Sequence, residues 1–339
     1  MSEYTSVPVA TGPDAPRLGS AITDVFETPV RQDTAVPSFD APAESPHSWL
    51  RATAATFRDH ILASGAVLIR GLPMQGPTDL IAARDALGVG VHHPVEDFTL
   101  RDGFGDDVVS PIRWPDDRIL CPFQENSFNL TFPSVVLTAC VTPPDSGGQH
   151  SLSDARQLAD HLPAPLAHRI RSGGWTLTRV FYEGFGISWR DAYSVADRDE
   201  LEQVFEAEGI EARWLPHGTL HTSRHRPGVI EHAATGEECW FNQIAFLNAG
   251  SLDPNERAIM AKAFGADLPM NTYFGDGSPL SEEDLTAVQD AYVAVSCDVP
   301  WQRGDLLIVD NVKIAQGRAP LEGSPEFLVT FGSEMPRPR

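Results

Sequence analysis

Lysine is almost missing: Lys262 and Lys313 are the only two in 339 residues, and every other basic side chain outside the histidines is arginine. Schiff-base and pyridoxal-phosphate chemistry needs a lysine amine. Lys262 falls in a helical pattern, which leaves Lys313 as the sole candidate for such a role. Cysteine pairs are missing too. Cys121, Cys140, Cys239 and Cys297 are scattered with no C-x-x-C spacing, which argues against a zinc knuckle or dithiol and reads them as small buried hydrophobes. No apolar run approaches the length of a membrane span. The N-terminal stretch MSEYTSVPVATGPDAP has neither the basic flank nor the apolar core of a secretion signal, so a cytoplasmic location is expected. Positive charge is scarce: 25 Lys and Arg against 47 Asp and Glu give −22, and such a surface repels nucleic acid and anionic membrane alike. The expected partner is a small molecule; nothing in the chain speaks to oligomeric state.

What the chain does hold is turn formers, with 28 prolines and 27 glycines spread along a 42% hydrophobic sequence. That balance suits a loop-rich protein with many short strands. Residues 1–45, rich in Pro, Ala, Thr and Asp, read as a poorly ordered arm or edge wrap with a short strand around Ala21 to Phe26. Residues 46–339 read as one domain, with no internal repeat and no linker. Leu50, Ala54, Phe57 and Ile61 recur at helical spacing up to the Ser64-Gly65 stop; a strand Ala66 to Ile69 and a helix Thr78 to Leu87 follow. The stretch 89–122 is acidic and turn-rich, and its His92 and His93 read as a solvent-exposed pair. Ser134 to Val141 is apolar and partly β-branched, as in a strand buried on both faces. Residues 153–171 read as helices broken at Pro163 and Pro165, Ser281 with Asp284 as a capping box, and 305–310 and 327–331 as closing strands.

The stretch PFQENSFNLTFPSVVLTACVTPPDSGGQHSLSDAR, residues 122–156, resembles the metal-binding core of the taurine dioxygenase and clavaminate synthase families, which use Fe(II) and 2-oxoglutarate. There the pattern is roughly P-H-x-E-x-S-Y, a Pro, then P-P-x-x-G-G-x-T-x-L-x-D-x-R. In that register Phe123 stands where the resemblance puts an iron-binding His, Glu125 at the carboxylate ligand and His150 at a Thr that touches the co-substrate. WQRGDLLIVDNVKIAQGRAPLEGSPEFLVTF, residues 301–331, resembles the second element, W-x-x-G-D-x-x-x-x-D-N-x-x-x-x-H-G-R followed by G-P-R. Gln316 then replaces the second His and Pro325 an Arg that clamps the co-substrate, with no Lys or Arg between Arg318 and Arg337 to stand in. Further likenesses lie at Trp189, Asp191, Trp214 and His217, at HAATGEECWFNQIAF from His232, and at YFGDGSP from Tyr273, including the syringomycin aspartate hydroxylase branch. Together they span about residues 48–333 and imply a mainly β, α+β fold, a double-stranded β-helix or jelly roll.

The resemblance as written implies that Fe(II) and 2-oxoglutarate are lost and that no cofactor is expected. A facial triad needs two imidazoles and a carboxylate, and a proline offers no side-chain donor for the co-substrate's carboxylate. Three readings stay open. In the first, Glu125, raised in pKa by desolvation beside Phe123, and His150 carry protons in an elimination, isomerisation, epimerisation or cyclisation of a small amino-acid-like or carrier-linked substrate in specialised metabolism. Phe123, Gln124, Ser127, Asn242, Gln316 and Arg318 would line its site, with structural bracing as the alternative for Asn242 and Arg318, an inherited carboxylate satisfied by hydrogen bonds without catalytic duty as that for Glu125, and a packed, hydrogen-bonded core histidine as that for His150. In the second, Glu125, His150 and a rearranged His hold a metal, the further candidates being His217, His221 and His225 at four-residue intervals, although 220–225 reads better as a strand. In the third, the chain binds without catalysis, and Phe123 and Gln316 fill the vacated space.

Overall fold

The expected first helix runs Pro46–Ser64 with Leu50 and Phe57 buried, and it ends because Gly65 turns left-handed at φ 87°. Glycine is required there twice over, since an added Cβ would also come 2.6 Å from Cγ1 of Ile314. A second helix, Pro77–Leu87, starts on its proline and stops at Gly88, φ 68°. Both helices cover one face of the main sheet. This computed structural model describes residues 36–105 and 107–338, so the strand expected near Ala21 to Phe26 lies outside the described residues.

The main sheet has six strands in the order Ser38–Asp40, Ala66–Arg70, Leu306–Asp310, Thr131–Thr142, Glu326–Pro336 and Val108–Val109, antiparallel except for the parallel pair at the Ser38 edge. The short Ser38 strand therefore wraps an edge. Alternation along each strand decides what it meets. Val67, Ile69, Leu137, Ala139, Leu306 and Ile308 face Leu50, Phe57, Leu80 and Leu87 of the helices. From the same sheet Ala66, Leu68, Leu307 and Val309 meet Leu152, Val299 and Ile314 of a second, four-stranded sheet. Cover on both faces is why residues 134–141 are apolar apart from Ser134 and Thr138.

The second sheet runs Ser296–Val299, His150–Asp154, Ile314–Arg318 and Leu120–Phe123, all antiparallel. A third, Met270–Phe274, Trp175–Phe181, Leu220–Arg226 and Glu211–Trp214, closes one end of the larger apolar core. With 18 strands and seven α-helices among the described residues, the fold is mixed α and β. The proline break resolves into a 3-10 turn, Leu158–His161, and a helix, Ala164–Gly173, whose first turn holds Pro165. His92 departs from the sequence reading: it is 2% exposed, tied down by its N–H to the Phe331 carbonyl, while His93 is exposed.

The capping box at Ser281 forms as expected, its Oγ accepting from Asp284 N at 3.0 Å and its N–H donating to Asp284 Oδ2 at 2.9 Å ahead of the helix Glu282–Ala294. Ser281→Ala should cost about 1 kcal/mol, read as a lower urea midpoint with an unchanged slope. A change in slope instead would mean that the helix packs loosely without its cap.

Candidate functional site

The second sheet brings four of the sequence candidates onto one ladder. Gln316 lies opposite Phe123 on one side and opposite Leu152 on the other, and Arg318 lies opposite His150. The two positions that the resemblance pairs, 123 and 316, are thus cross-strand neighbours. Nε2 of His150 is 3.0 Å from Oε1 of Gln316, and the imidazole stands edge-on to Trp301 at 5.4 Å between centroids. Burial pushes the imidazole pKa down to about 4, the bond to Gln316 opposing this and the charge of Arg318 adding to it. At neutral pH the ring is uncharged.

Phe123 is walled by aromatics. Its ring stacks on Phe246 at 4.7 Å and 8°, Phe98 meets it edge-on at 5.9 Å, and Trp114 tilts against Phe246 at 5.8 Å. Gln124, completely buried, braces the framework: its amide donates to the carbonyls of Trp240 at 2.6 Å and Val312 at 3.2 Å. Asn311 grips the backbone of Glu125 at both ends, accepting from its N–H at 2.8 Å and donating to its carbonyl at 2.9 Å. The Oγ of Ser127 is buried with no partner among the described residues. Asn242 donates to Gly228 O at 2.7 Å and accepts from Ile244 N at 3.1 Å, while Arg318 donates to the carbonyls of Ala319 and Pro115. Those contacts fix backbone. Ser151 alternates to the reverse side of the ladder from His150 and Gln316, and there a cavity of about 270 Å³ is lined by Leu120, Pro122, Val293 and Pro320, among others, with Arg318 also contributing.

The carboxylate of Glu125 has a partner that the sequence reading missed. Nη2 of Arg101 donates to both of its oxygens, at 2.7 and 2.9 Å, and Nη1 donates to Ser110 O at 3.2 Å. Both side chains are nearly closed off, 6% and 10% exposed. A guanidinium thus supplies positive charge where the sequence reading set only Phe123 beside the carboxylate. Beside the pair, burial pushes the carboxyl of Asp97 up to about 6, Arg101 pulling it down and Glu125 pushing it further up. Behind it, Glu96 is fully buried in ion pairs with Arg179 and Arg224. These residues lie in a turn-rich stretch and in strands of the third sheet, where no periodicity marks them. The one available signal was an arginine amid acidic residues, flanked by Phe98 and Leu100.

The remaining candidates scatter. His217 sits in a turn at φ 61°, and His221 and His225 share a face of the strand Leu220–Arg226, with His225 Nε2 on Gly173 O at 2.8 Å. No group of three His, Cys, Asp or Glu able to hold a metal ion forms among the described residues. Lys313 is fully buried, donating to Leu62 O at 2.6 Å and to Glu237 at 2.5 Å, so its amine is engaged in the framework. At the positions that the resemblance assigns to a facial triad stand a phenyl ring, an amide bonded to His150 and a carboxylate bonded to Arg101. That donor set does not fit iron as it stands.

The family described as "Taurine catabolism dioxygenase TauD, TfdA family" matches residues 28–330. Dapdiamide synthesis protein DdaC of Enterobacter agglomerans is 27% identical over 267 residues, covering 78% of this chain and 81% of its own. A clavaminate synthase-like protein of Arabidopsis thaliana is 24% identical over 282 residues, covering 79% and 81%. Among solved structures, that of PvcB, titled an Fe, alpha-ketoglutarate dependent oxygenase from an isonitrile synthetic pathway, superposes with a TM-score of 0.50 at 13% identity over 90% of each chain. At that identity the likeness shows the fold. These findings overturn the expectation that no cofactor is involved: the matching family is described as a dioxygenase family and PvcB as dependent on iron and alpha-ketoglutarate.

Proposed function

This chain belongs to the TauD, TfdA family, and from that membership we propose that it is an enzyme that converts a small amino-acid-like or carrier-linked molecule by proton transfer at Glu125. The carrying observation is the carboxylate itself, held by Asn311 through its backbone and with one guanidinium nitrogen spanning both oxygens. A carboxylate so placed can take a proton from a bound molecule while Arg101 keeps its charge tolerable. His150, uncharged, gives its one N–H to Gln316 and keeps a bare ring nitrogen that can accept a hydrogen bond from a donor on the bound molecule. Elimination, isomerisation or cyclisation all begin with such a transfer. The names of the relatives, a dapdiamide synthesis protein and an oxygenase of an isonitrile synthetic pathway, support a setting in specialised metabolism. The two facing sheets support the double-stranded β-helix.

The test is solvent exchange. Incubated in D2O with amino acids and aminoacyl carrier thioesters, the protein should wash deuterium into one acidic C–H of its substrate, followed by NMR. Glu125→Gln should slow that exchange by about 10²-fold or more; exchange that survives the substitution removes Glu125 from the role.

The family itself favours a second reading, an oxygenase using Fe(II) and 2-oxoglutarate as PvcB does by its title. Oxygen uptake that requires both, on the same panel of molecules, would establish it in place of the first.

A further inference from the structure

The Arg101–Glu125 pair is unusual in how it is made. Arginine presents five N–H donors in a planar fork and binds a carboxylate most strongly through two parallel bonds from two nitrogens. Here a single nitrogen, Nη2, spans both oxygens at 2.7 and 2.9 Å, while Nη1 turns away to the Ser110 carbonyl. No other side chain donates a hydrogen bond to this carboxylate among the described residues. The guanidinium therefore acts on Glu125 end-on, as a compact positive charge would, and at each oxygen it engages a lone pair for which a metal ion would compete.

The surroundings suit a cation at that point. Asp97 lies near enough for the charges of both Arg101 and Glu125 to act on its carboxyl. The ring of Phe331 packs beneath Arg101, 5.1 Å from its central carbon to the ring centroid, and presents the negative face of the ring to the same cation. The backbone of Glu125 is fixed through Asn311, so the carboxylate stays in place if the guanidinium leaves. Arg101 instead reaches in from a stretch whose neighbours Leu100 and Phe104 are 49% and 46% exposed. The fixed partner is the carboxylate; the removable one is the cation.

We propose that Arg101 is the built-in counter-cation of Glu125 and competes with divalent metal ions for that carboxylate. This accounts for the disagreement between a family described by its dioxygenase activity and a centre whose carboxylate is already taken. It holds whichever reaction the protein performs, because it concerns only which cation Glu125 accepts. A metal ion that prefers oxygen ligands and leaves water in its remaining positions is the appropriate probe.

The experiment is a titration of the full-length protein with Mn²⁺, free ion being counted by electron paramagnetic resonance, with folding of each variant checked by circular dichroism. Arg101→Gln should bind one Mn²⁺ at least tenfold more tightly than the unsubstituted protein. Adding Glu125→Gln to it should return the affinity to the starting value. Arg101→Lys, which keeps the charge, should stay within about threefold of the unsubstituted protein, since Mn²⁺ must still displace a cation. Equal affinities in Arg101→Gln and the unsubstituted protein overturn the proposal, and so does a gain in Arg101→Lys as large as that in Arg101→Gln. If Arg101→Gln does not fold, Glu125→Gln alone decides: its Mn²⁺ affinity should match that of the unsubstituted protein, and a fall of tenfold would show that Glu125 is open to metal with Arg101 in place.

Discussion

Glu96→Gln should lower the stability of the fold by about 3–5 kcal/mol, the usual cost of leaving a buried charge without its partner. Glu96 is completely buried, and so, nearly, are the two guanidinium groups that face it, Arg179 and Arg224. Arg224 also donates to Tyr193 Oη at 2.9 Å and to Asn129 Oδ1 at 3.1 Å, and Asn126 donates to the Glu96 carbonyl at 3.2 Å. The carboxylate thus ties the third sheet to the turn that follows Glu125. A glutamine keeps the shape and one acceptor, but two cations remain in a dry interior. Urea denaturation at pH 7 measures the loss, and a difference below about 1 kcal/mol would place the pair among those that contribute nothing net. The pH dependence follows from the sign of the shift. Burial pushes the Glu96 carboxyl up, yet Arg224 and Arg179 together pull it below its ordinary value. Its contribution is present above the unfolded carboxylate pKa and is lost as pH falls through the lowered folded value, so the gap to Glu96→Gln should narrow in acid.

The helical period at Leu50 to Ile61 and the apolar run 134–141 were legible because they answer to burial, on a single face for the helix and on both for the strand. Leu50 and Phe57 marked the first helix nearly to the residue, the apolar run 134–141 marked the middle of a strand that extends from Thr131 to Thr142, and Gly65, Gly88 and Ser281 marked the ends. The ordered motifs gave the family, and the ladder places positions 123 and 316 side by side, as motifs far apart in sequence cannot do by themselves. Arg101 was not legible. It comes from a stretch where turns set the backbone, and a cation meets a carboxylate across 24 residues through tertiary packing alone. His92 was misread for the same reason, since a backbone bond to Phe331 draws it inside. The cofactor expectation failed in another way: substitutions at aligned positions speak to a donor set, and a family's chemistry is a property of the whole centre and what comes to it.

Wild-type stability should fall in mild acid through His150, by about 3 kcal/mol at most, and His150→Thr should remove that part of the slope. Burial holds the folded imidazole pKa at about 4 against an ordinary value of 6.5. Above pH 6.5 both states are neutral there and nothing is lost. As pH falls from 6.5 toward 4 the unfolded chain takes up a proton that the folded ring refuses, so stability drops through that window; below about 4 the folded ring is protonated too and the loss is complete. Threonine does not titrate, so the variant should be flat where the wild type slopes. Asp97 and Asp305, both pushed up to about 6 chiefly by burial, act in the opposite sense, since stability falls as pH rises through their window. Both aspartates are present in wild type and variant, so their contributions cancel in the difference between the two denaturation series. What remains in that difference between pH 4 and 6.5 belongs to the imidazole bound to Gln316, and a variant as steep as the wild type would mean that His150 takes up its proton in the folded state near the ordinary value.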